Sequence, residues 1–188
     1  MATTEPIRNV DHVHALYNYF LKKGEIRNNL LIVMAVHTAL RIGDLLSLKW
    51  DDVYDFTNNS FHSFISVREH KTGKSNHIPL HPDITLALNK YMYVARPGVY
   101  LFSNPKIGKP ISRVQAHRII RHACEALKLP ATFSCHSLRK TFGYHAWKTG
   151  VPPVVIMDIY NHVSFAVTQR YLGITQDDRN DAYLQVSI

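Results

Sequence analysis

The side chains best suited to chemistry are spread over five separated stretches of the chain. Arg41 and Asp44 stand in "RIGDLLSLKW", directly after an apolar run. Lys71 sits in "EHKTGK", between two runs that read as strands. His136 and Arg139 lie about one helical turn apart in "HSLRKTFGYHAWKTG". His162 follows in "YNHVS", and Tyr171 comes later in "TQRYLG". Guanidinium, imidazole, ammonium and phenol are groups that grip anions and move protons. Each also has an ordinary explanation. Asp44 lies on the same helical face as Arg41 and is expected to hold its guanidinium in place, yet an exposed pair of that kind is worth under about 1 kcal/mol. A lone lysine in a turn usually serves solubility, His136 can merely cap its helix, and Tyr171 is one of ten tyrosines. Only their joint order and spacing ask for more.

The elements that must position them follow from periodicity and punctuation. Asp11 is placed to cap a helix carrying Val13, Leu16, Tyr17, Phe20 and Leu21 on one face, with Gly24 ending it. Residues 28–40 are apolar nearly all round, which predicts a central helix. A short helix then turns Ile42, Leu45, Leu46 and Leu48 inward. "VYDF", "FHSFISVREH" and "SNHIPL", separated by "TNNS" and "KTGK", predict a three-stranded antiparallel sheet. Pro82 opens a helix to about Val94. Ser112 and Gln115 form a capping box for a helix over 113–128, with Val114, Ile120, Ala123 and Leu127 inward. Ser134 caps a helix over 136–149 that Gly150 ends. Pro152 and Pro153 open a shorter one to Tyr160, Ser164 caps another to Leu172, and Thr175 starts the last. The fold class is α+β: a mainly helical domain with one small sheet.

Composition bounds the class. The chain has 188 residues, 46% hydrophobic and 19% charged, enough for one domain with a proper core. Lys plus Arg is 22 against 14 for Asp plus Glu, a net charge of +8 that favours nucleic acid as a partner. "LLIVMAV" is far shorter than the roughly 18 apolar residues of a membrane span. "MATTEPIRNV" has no apolar signal core, so a cytoplasmic location is expected. Cys124 and Cys135 give no disulfide framework, and with His122 and His136 they lack paired metal-ligand spacing. No metal and no other cofactor is expected, and no Walker motif is present.

In their order and gaps these motifs resemble the catalytic domain of the tyrosine recombinases, the phage integrase family. There, Arg-x-x-Glu followed by Leu-x-x-Leu-x-Trp-x-Asp marks the first active-site arginine. Here that pattern reads as Arg41, Asp44 in place of Glu, Leu45, Leu48, Trp50 and Asp52. The family's hairpin lysine matches Lys71 in "KTGKSNHIPL", and its His-x-x-Arg box matches His136 and Arg139. Its Leu-Gly-His motif aligns with Tyr160, Asn161 and His162, and its nucleophile falls on Tyr171. Asn tolerates a left-handed conformation better than most residues, so the turn before His162 is expected to survive the loss of Gly.

The resemblance implies attack of a tyrosine oxygen on a DNA phosphodiester, leaving a 3′-phosphotyrosine that a DNA hydroxyl can later reverse without ATP. Such a step needs positive charge on the non-bridging oxygens, which Arg41 and Arg139 supply as bidentate donors with His162 beside them. It needs a base for a phenol whose ordinary pKa is about 10, and His136 fits. It needs an acid for the 5′ oxygen. Lys71 on its hairpin fits, and Lys74 across the "TG" is the other candidate. Arg113, His117, Arg118 and Arg121 on the helix over 113–128, with Lys74 and Lys140, are candidate DNA contacts.

Double-stranded DNA is thus the expected partner, with a free monomer assembling as a tetramer on DNA. Many members of the family carry an N-terminal domain that clasps the other DNA face. The expectation here is a single catalytic domain over 1–188 without it, either as a fragment or as a short recombinase similar to the fimbrial inversion enzymes. Two other readings stay open. "HSLRKTFGYHAWKTGVPPVVIMDIYNHVS" has the form of a helix-turn-helix, which would explain the charge and Arg139 in a non-catalytic DNA-binding protein. A type IB topoisomerase would use similar chemistry as a monomer.

Overall fold

The structure is a computed structural model that describes residues 4–95, 98–130, 133–174 and 176–186. Helices α1 (Val10–Lys22) and α2 (Ile26–His37) pack on each other. The cap of α1 is Asn9 rather than Asp11: the Asn9 side chain accepts the Asp11 N–H at 2.7 Å. Asp11 sits instead in the first turn, where its charge suits the helix dipole. The inward face is the expected one, with Val13, Leu16 and Phe20 buried. Gly24 has φ +68° and ends the helix. Helix α2 buries Leu30, Leu31, Ile32, Val33, Met34 and Ala35 and touches four other helices, so it is the central rod. The short α3 (Ile42–Leu46) buries Leu45 and Leu46. Trp50 beyond it stacks at 5.5 Å on Tyr91 of α4 (Pro82–Val94).

The expected three-stranded sheet is instead two antiparallel ribbons. One pairs β1 (Tyr54–Asp55) with β2 (Ser60–Phe61). The other pairs β3 (Phe64–Arg68) with β4 (Ser75–Pro79), placing Ile65 opposite Ile78. The run 61–70 breaks at His62 and Ser63 because its backbone bonds go two ways. The His62 N–H donates to Val53 at 3.0 Å, while the Ser63 carbonyl accepts from Leu80 at 2.9 Å. Within β3, Ile65 and Val67 point inward, and Glu69 continues that alternation into the interior.

Helix α5 (Arg113–Ala126) is capped by Ser112, whose hydroxyl accepts from the Gln115 N–H at 3.1 Å. Its buried face is Ala116, Ile120, Ala123 and Cys124. Val114 is 60% exposed, against expectation, because it stands two residues from Ala116, about 200° round the helix. Helices α6 (Cys135–Lys148), α7 (Pro153–Tyr160) and α8 (Phe165–Leu172) close on a second small core of Ala39, Ile156, Tyr160 and Leu172. Ser134 and Ser164 stand at the caps of α6 and α8 without side-chain cap bonds. A last helix, α9 (Gln176–Gln185), is tied back through Asp178, 2.7 Å from Lys148 and 3.7 Å from Arg8. Thr175, expected to start it, lies outside the described residues. Cys124 and Cys135 are free thiols. No helix among the described residues is long and apolar enough to cross a membrane.

Candidate active site

Both arginines meet at the end of α2: Arg41 follows it in the chain, and Arg139 reaches it from α6. Ala39 turns the chain there with φ +55°, a left-handed conformation that costs a residue with a Cβ about 1–2 kcal/mol. The turn aims its carbonyl at Arg139 Nη1, which donates to it. It also sends Arg41 toward the hairpin, where Nη1 meets Glu69 Oε2 at 2.5 Å. Glu69 is 1% exposed and also accepts from the Thr72 hydroxyl at 2.7 Å. One buried carboxylate therefore fixes both the first arginine and the hairpin turn. The expected Arg41–Asp44 pair does not form. Asp44 Oδ1 contacts the His70 backbone N–H (3.0 Å) and Nδ1 (2.7 Å) instead. Sharing a helical face with Arg41 did not decide its partner, because the folded hairpin offers closer donors.

Arg139 is buried, and Nη2 donates to the Tyr160 carbonyl at 3.2 Å. Its Nε is the one buried side-chain donor among the described residues with no hydrogen-bond partner. Burial lowers its pKa first, and the Arg41 charge adds to the effect. Tyr160 replaces the leucine expected at the α7 end and is wholly buried. Its hydroxyl donates to the Arg139 carbonyl at 2.6 Å and accepts the Gly143 N–H at 2.7 Å. With both functions of the hydroxyl engaged, Tyr160 is not available as a nucleophile.

Asn161 is left-handed, with φ +53° and ψ +48°, as the substitution for Gly requires. The turn carries His162 under α8, with Nδ1 3.0 Å from the Thr168 hydroxyl. Tyr171 is held between two imidazoles: ring centroids are 4.5 Å from His162 and 4.9 Å from His136, both edge-on. Burial, then the charges of Arg139 and Arg41, push His162 down to about 4. His136 is also below the usual histidine range, from packing around its ring and then from Lys140, Arg139 and Arg41. Both rings are therefore neutral at neutral pH, the form in which His136 can accept a proton.

Arg41, Asp44, His136, Arg139 and Tyr171 line one cleft of about 760 Å³, together with Lys71, His70, Ser134, Cys135, Arg113 and His117, while His162 stands behind the Tyr171 ring. Arg41, Lys71, Arg113 and Arg139 face a single carboxylate there, Asp44, which His70 already occupies. The cleft suits a polyanion. Arg113 and His117, about one turn apart on α5, reach it, whereas Arg118 and Arg121 do not. Arg121 pairs with Glu125 at 2.8 Å. Lys74 turns away from the cleft and meets Asp158 Oδ1 at 2.8 Å, leaving Lys71 as the hairpin lysine inside it. Lys140, expected as a DNA contact, is only 5% exposed and donates to the Thr4 carbonyl at 2.7 Å. A helix-turn-helix reading fits poorly: α7 buries Ile156 and Tyr160 and exposes Val154 and Val155, with few groups able to read bases.

The sequence reading missed Glu69, His70, Thr72 and Ser134. For Glu69 a signal was present, since strand alternation places it on the face of Ile65 and Val67. Among the described residues, one group of His, Cys and carboxylate donors lies close enough to share an ion: His37, His81 and Asp83. It is outside the cleft, and His81 Nδ1 already accepts the Asp83 N–H at 3.2 Å.

The model of the phage integrase family matches residues 9–177. The probable integrase/recombinase YoeC of Bacillus subtilis (strain 168) is 34% identical over 183 residues, covering 97% of each chain. Tyrosine recombinase XerA of Pyrococcus furiosus is 26% identical over 165 residues, 86% of this chain but 55% of that one. A tyrosine recombinase of Thermosipho africanus is likewise covered over 58% of its length, so the chain spans little more than half of these longer relatives. The crystal structure of XerA recombinase aligns with a TM-score of 0.78 at 24% identity, covering 96% of this chain and 65% of that one. A XerH recombinase bound to palindromic difH substrate aligns at 0.76 and 17% identity, covering 98% of this chain and 54% of that one. Matched by the family model over nearly all its length, and by one relative at a third identity from end to end, the chain belongs to the phage integrase family.

Proposed function

We propose that this chain is a site-specific recombinase that cuts and rejoins DNA strands through Tyr171. In the cutting step the Tyr171 hydroxyl gives its proton to His136 and its oxygen bonds to phosphorus. The bond from phosphorus to the 5′ oxygen breaks, and that oxygen takes a proton from Lys71. Arg41, Arg139 and the neutral His162 donate to the non-bridging oxygens as charge builds on them. The energy of the phosphodiester stays in the 3′-phosphotyrosine, so a 5′ hydroxyl can reverse the step. The observation that carries this reading is the placement of the Tyr171 ring between His136 and His162 at the wall of a cleft shared with Arg41, Arg139 and Lys71. Assembly of four protomers on paired sites belongs to the same proposal and is read from the size of the DNA complexes formed.

The test is a duplex with a nick that releases a short 3′ fragment after cleavage, trapping the protein on DNA in a denaturing gel. The wild-type chain should give the adduct. Tyr171→Phe should bind the duplex and give none. An adduct that persists in Tyr171→Phe places the nucleophile elsewhere and ends this reading.

A further inference from the structure

Lys140 has no obvious reason to be buried. Its ammonium lies 5.5 Å from the centre of the Tyr171 ring, and no carboxylate among the described residues comes within ion-pair distance. Among the described residues, its hydrogen bond is to the carbonyl of Thr4. That residue belongs to an N-terminal strap laid along α6, where the Ile7 N–H donates to the Thr141 hydroxyl at 2.9 Å and the Ile7 carbonyl lies 3.0 Å from His145 Nε2. The same strap reaches past Tyr171, with Arg8 Nη2 donating to the Gly173 carbonyl at 2.5 Å. Lys140 thus sits between a backbone clamp and the ring of the proposed nucleophile. It is also four residues from His136 on α6, which places the two side chains on one helical face.

We infer that Lys140 is a positioning residue of this reaction, resting on the proposed role of Tyr171: its buried ammonium holds the Tyr171 ring by a cation–π contact and sets a fixed positive charge on the helix face of His136. A cation within about 6 Å of an aromatic ring attracts it, more strongly where water is excluded. The same charge opposes a second positive charge on His136, whose lowered pKa has Lys140 as its largest cause after burial. The groups that face the pair among the described residues come from three elements. His136 and Lys140 face Tyr171 from α6, Tyr160 from α7 and His162 from the turn before α8. Arg139 and Arg41 add charge from one side. Glu5 is the acidic residue whose charge acts on Lys140.

The experiment reads the reaction and the histidine separately. Single-turnover cleavage is followed against pH on duplex carrying sulfur at the 5′ bridging position, so that departure of the leaving group no longer limits the rate. Lys140→Gln should move the acid limb of the profile up by about one pH unit, since His136 then protonates more readily. Lys140→Arg should leave the limb within a few tenths. In parallel, the His136 ring resonance, identified by its loss in His136→Asn, is titrated by NMR in the DNA-free chain and should move up by the same amount in Lys140→Gln. If Lys140→Gln lowers only the melting temperature and moves neither the limb nor the resonance, Lys140 merely anchors the strap and the inference is wrong. Should Lys140→Gln fail to fold, an acid limb that moves up in Lys140→Arg also overturns it. Failure of the wild-type chain to form a Tyr171 adduct counts instead against the proposed function, and the NMR titration is independent of that outcome.

Discussion

Gly143 on α6 is the position where one added carbon should do most damage to the site without touching DNA. A Cβ there would stand 2.4 Å from the Tyr160 hydroxyl oxygen, 2.8 Å from Cε2 and 2.9 Å from Cζ. Ordinary contact needs roughly 3.5 Å, so the ring must retreat by about 1 Å. Tyr160 has nowhere to go, being wholly buried and bonded through its hydroxyl to the Gly143 N–H and the Arg139 carbonyl. Losing those two bonds costs about 1 kcal/mol each, and overpacking a filled core adds about 1–3 kcal/mol. Gly143→Ala should therefore lose about 3–5 kcal/mol, read as a lower urea midpoint with an unchanged m-value. Function should fall with it. The Tyr160 carbonyl orients Arg139, and His162 is two residues on. A misplacement near 1 Å costs on the order of 10²-fold in the rate of adduct formation. Tyr160→Leu sharpens the test, because it removes the hydroxyl and the ring edge that Cβ would strike. In that background Gly143→Ala should cost little, giving a coupling of about 2 kcal/mol or more in a double-mutant cycle. Additive effects would refute the close approach as the cause.

The other predictions test separate parts of the site. Lys71→Ala should slow cleavage of ordinary DNA on the order of 10²–10⁴-fold and recover most of that loss with sulfur at the 5′ bridging position, because a thiolate leaves without a proton. Arg139→Ala should show no recovery, and Lys74→Ala, which breaks only the pair with Asp158, should cleave nearly normally. Rescue of Lys74→Ala with no defect in Lys71→Ala would reverse the assignment of the acid. Stability should depend on pH through His162, whose pKa is about 4 when folded against 6.5 in its unperturbed state. Between those values the unfolded chain binds the extra proton, so stability falls as pH drops from about 6.5 to about 4 and levels off below. Urea midpoints across that range should show the slope, and His162→Gln should reduce it, leaving the part that comes from His136 and His37.

Much of this was legible in the sequence for reasons that can be named. Helix ends are written locally, in Gly24 and Ser112, because capping and left-handed turns depend on a few adjacent residues. Asn161 was readable for the same reason. What failed were the statements that needed a partner from far along the chain. Asp44 shares a face with Arg41, but spacing gives a direction and not a rotamer, and the hairpin residue His70 wins its carboxylate. Lys140 reads as surface because α6 is polar there. Yet Ser137, Leu138, Arg139, Lys140 and Thr141 are all buried, since α2, α5, α8 and the N-terminal strap enclose that turn. A helix closed in on every side shows no apolar stripe, so periodicity cannot report its burial. The sheet failed differently. Alternation continued through His62 and Ser63, but the direction of two backbone hydrogen bonds divided it.

The arrangement of the two arginines follows from the same long-range contacts. Arg139 is aimed by carbonyls at the ends of α2 and α7, and Arg41 by a carboxylate at the end of β3. None of the three fixing groups lies on the helix of the arginine it fixes. Each guanidinium is therefore oriented only once the separate elements have docked, and little reorganisation remains for the moment when charge develops on a phosphate. Glu69 extends this coupling. Its one carboxylate oxygen accepts from both Arg41 and Thr72, the residue after Lys71. A shift of that carboxylate would move the proposed phosphate donor Arg41 and the proposed acid together. Activity should therefore respond to changes around Glu69, Arg41 and Thr72 as a unit rather than as a sum. The buried carboxylate of Glu69 thus links Arg41, a proposed donor to the phosphate, to the hairpin that carries the proposed acid.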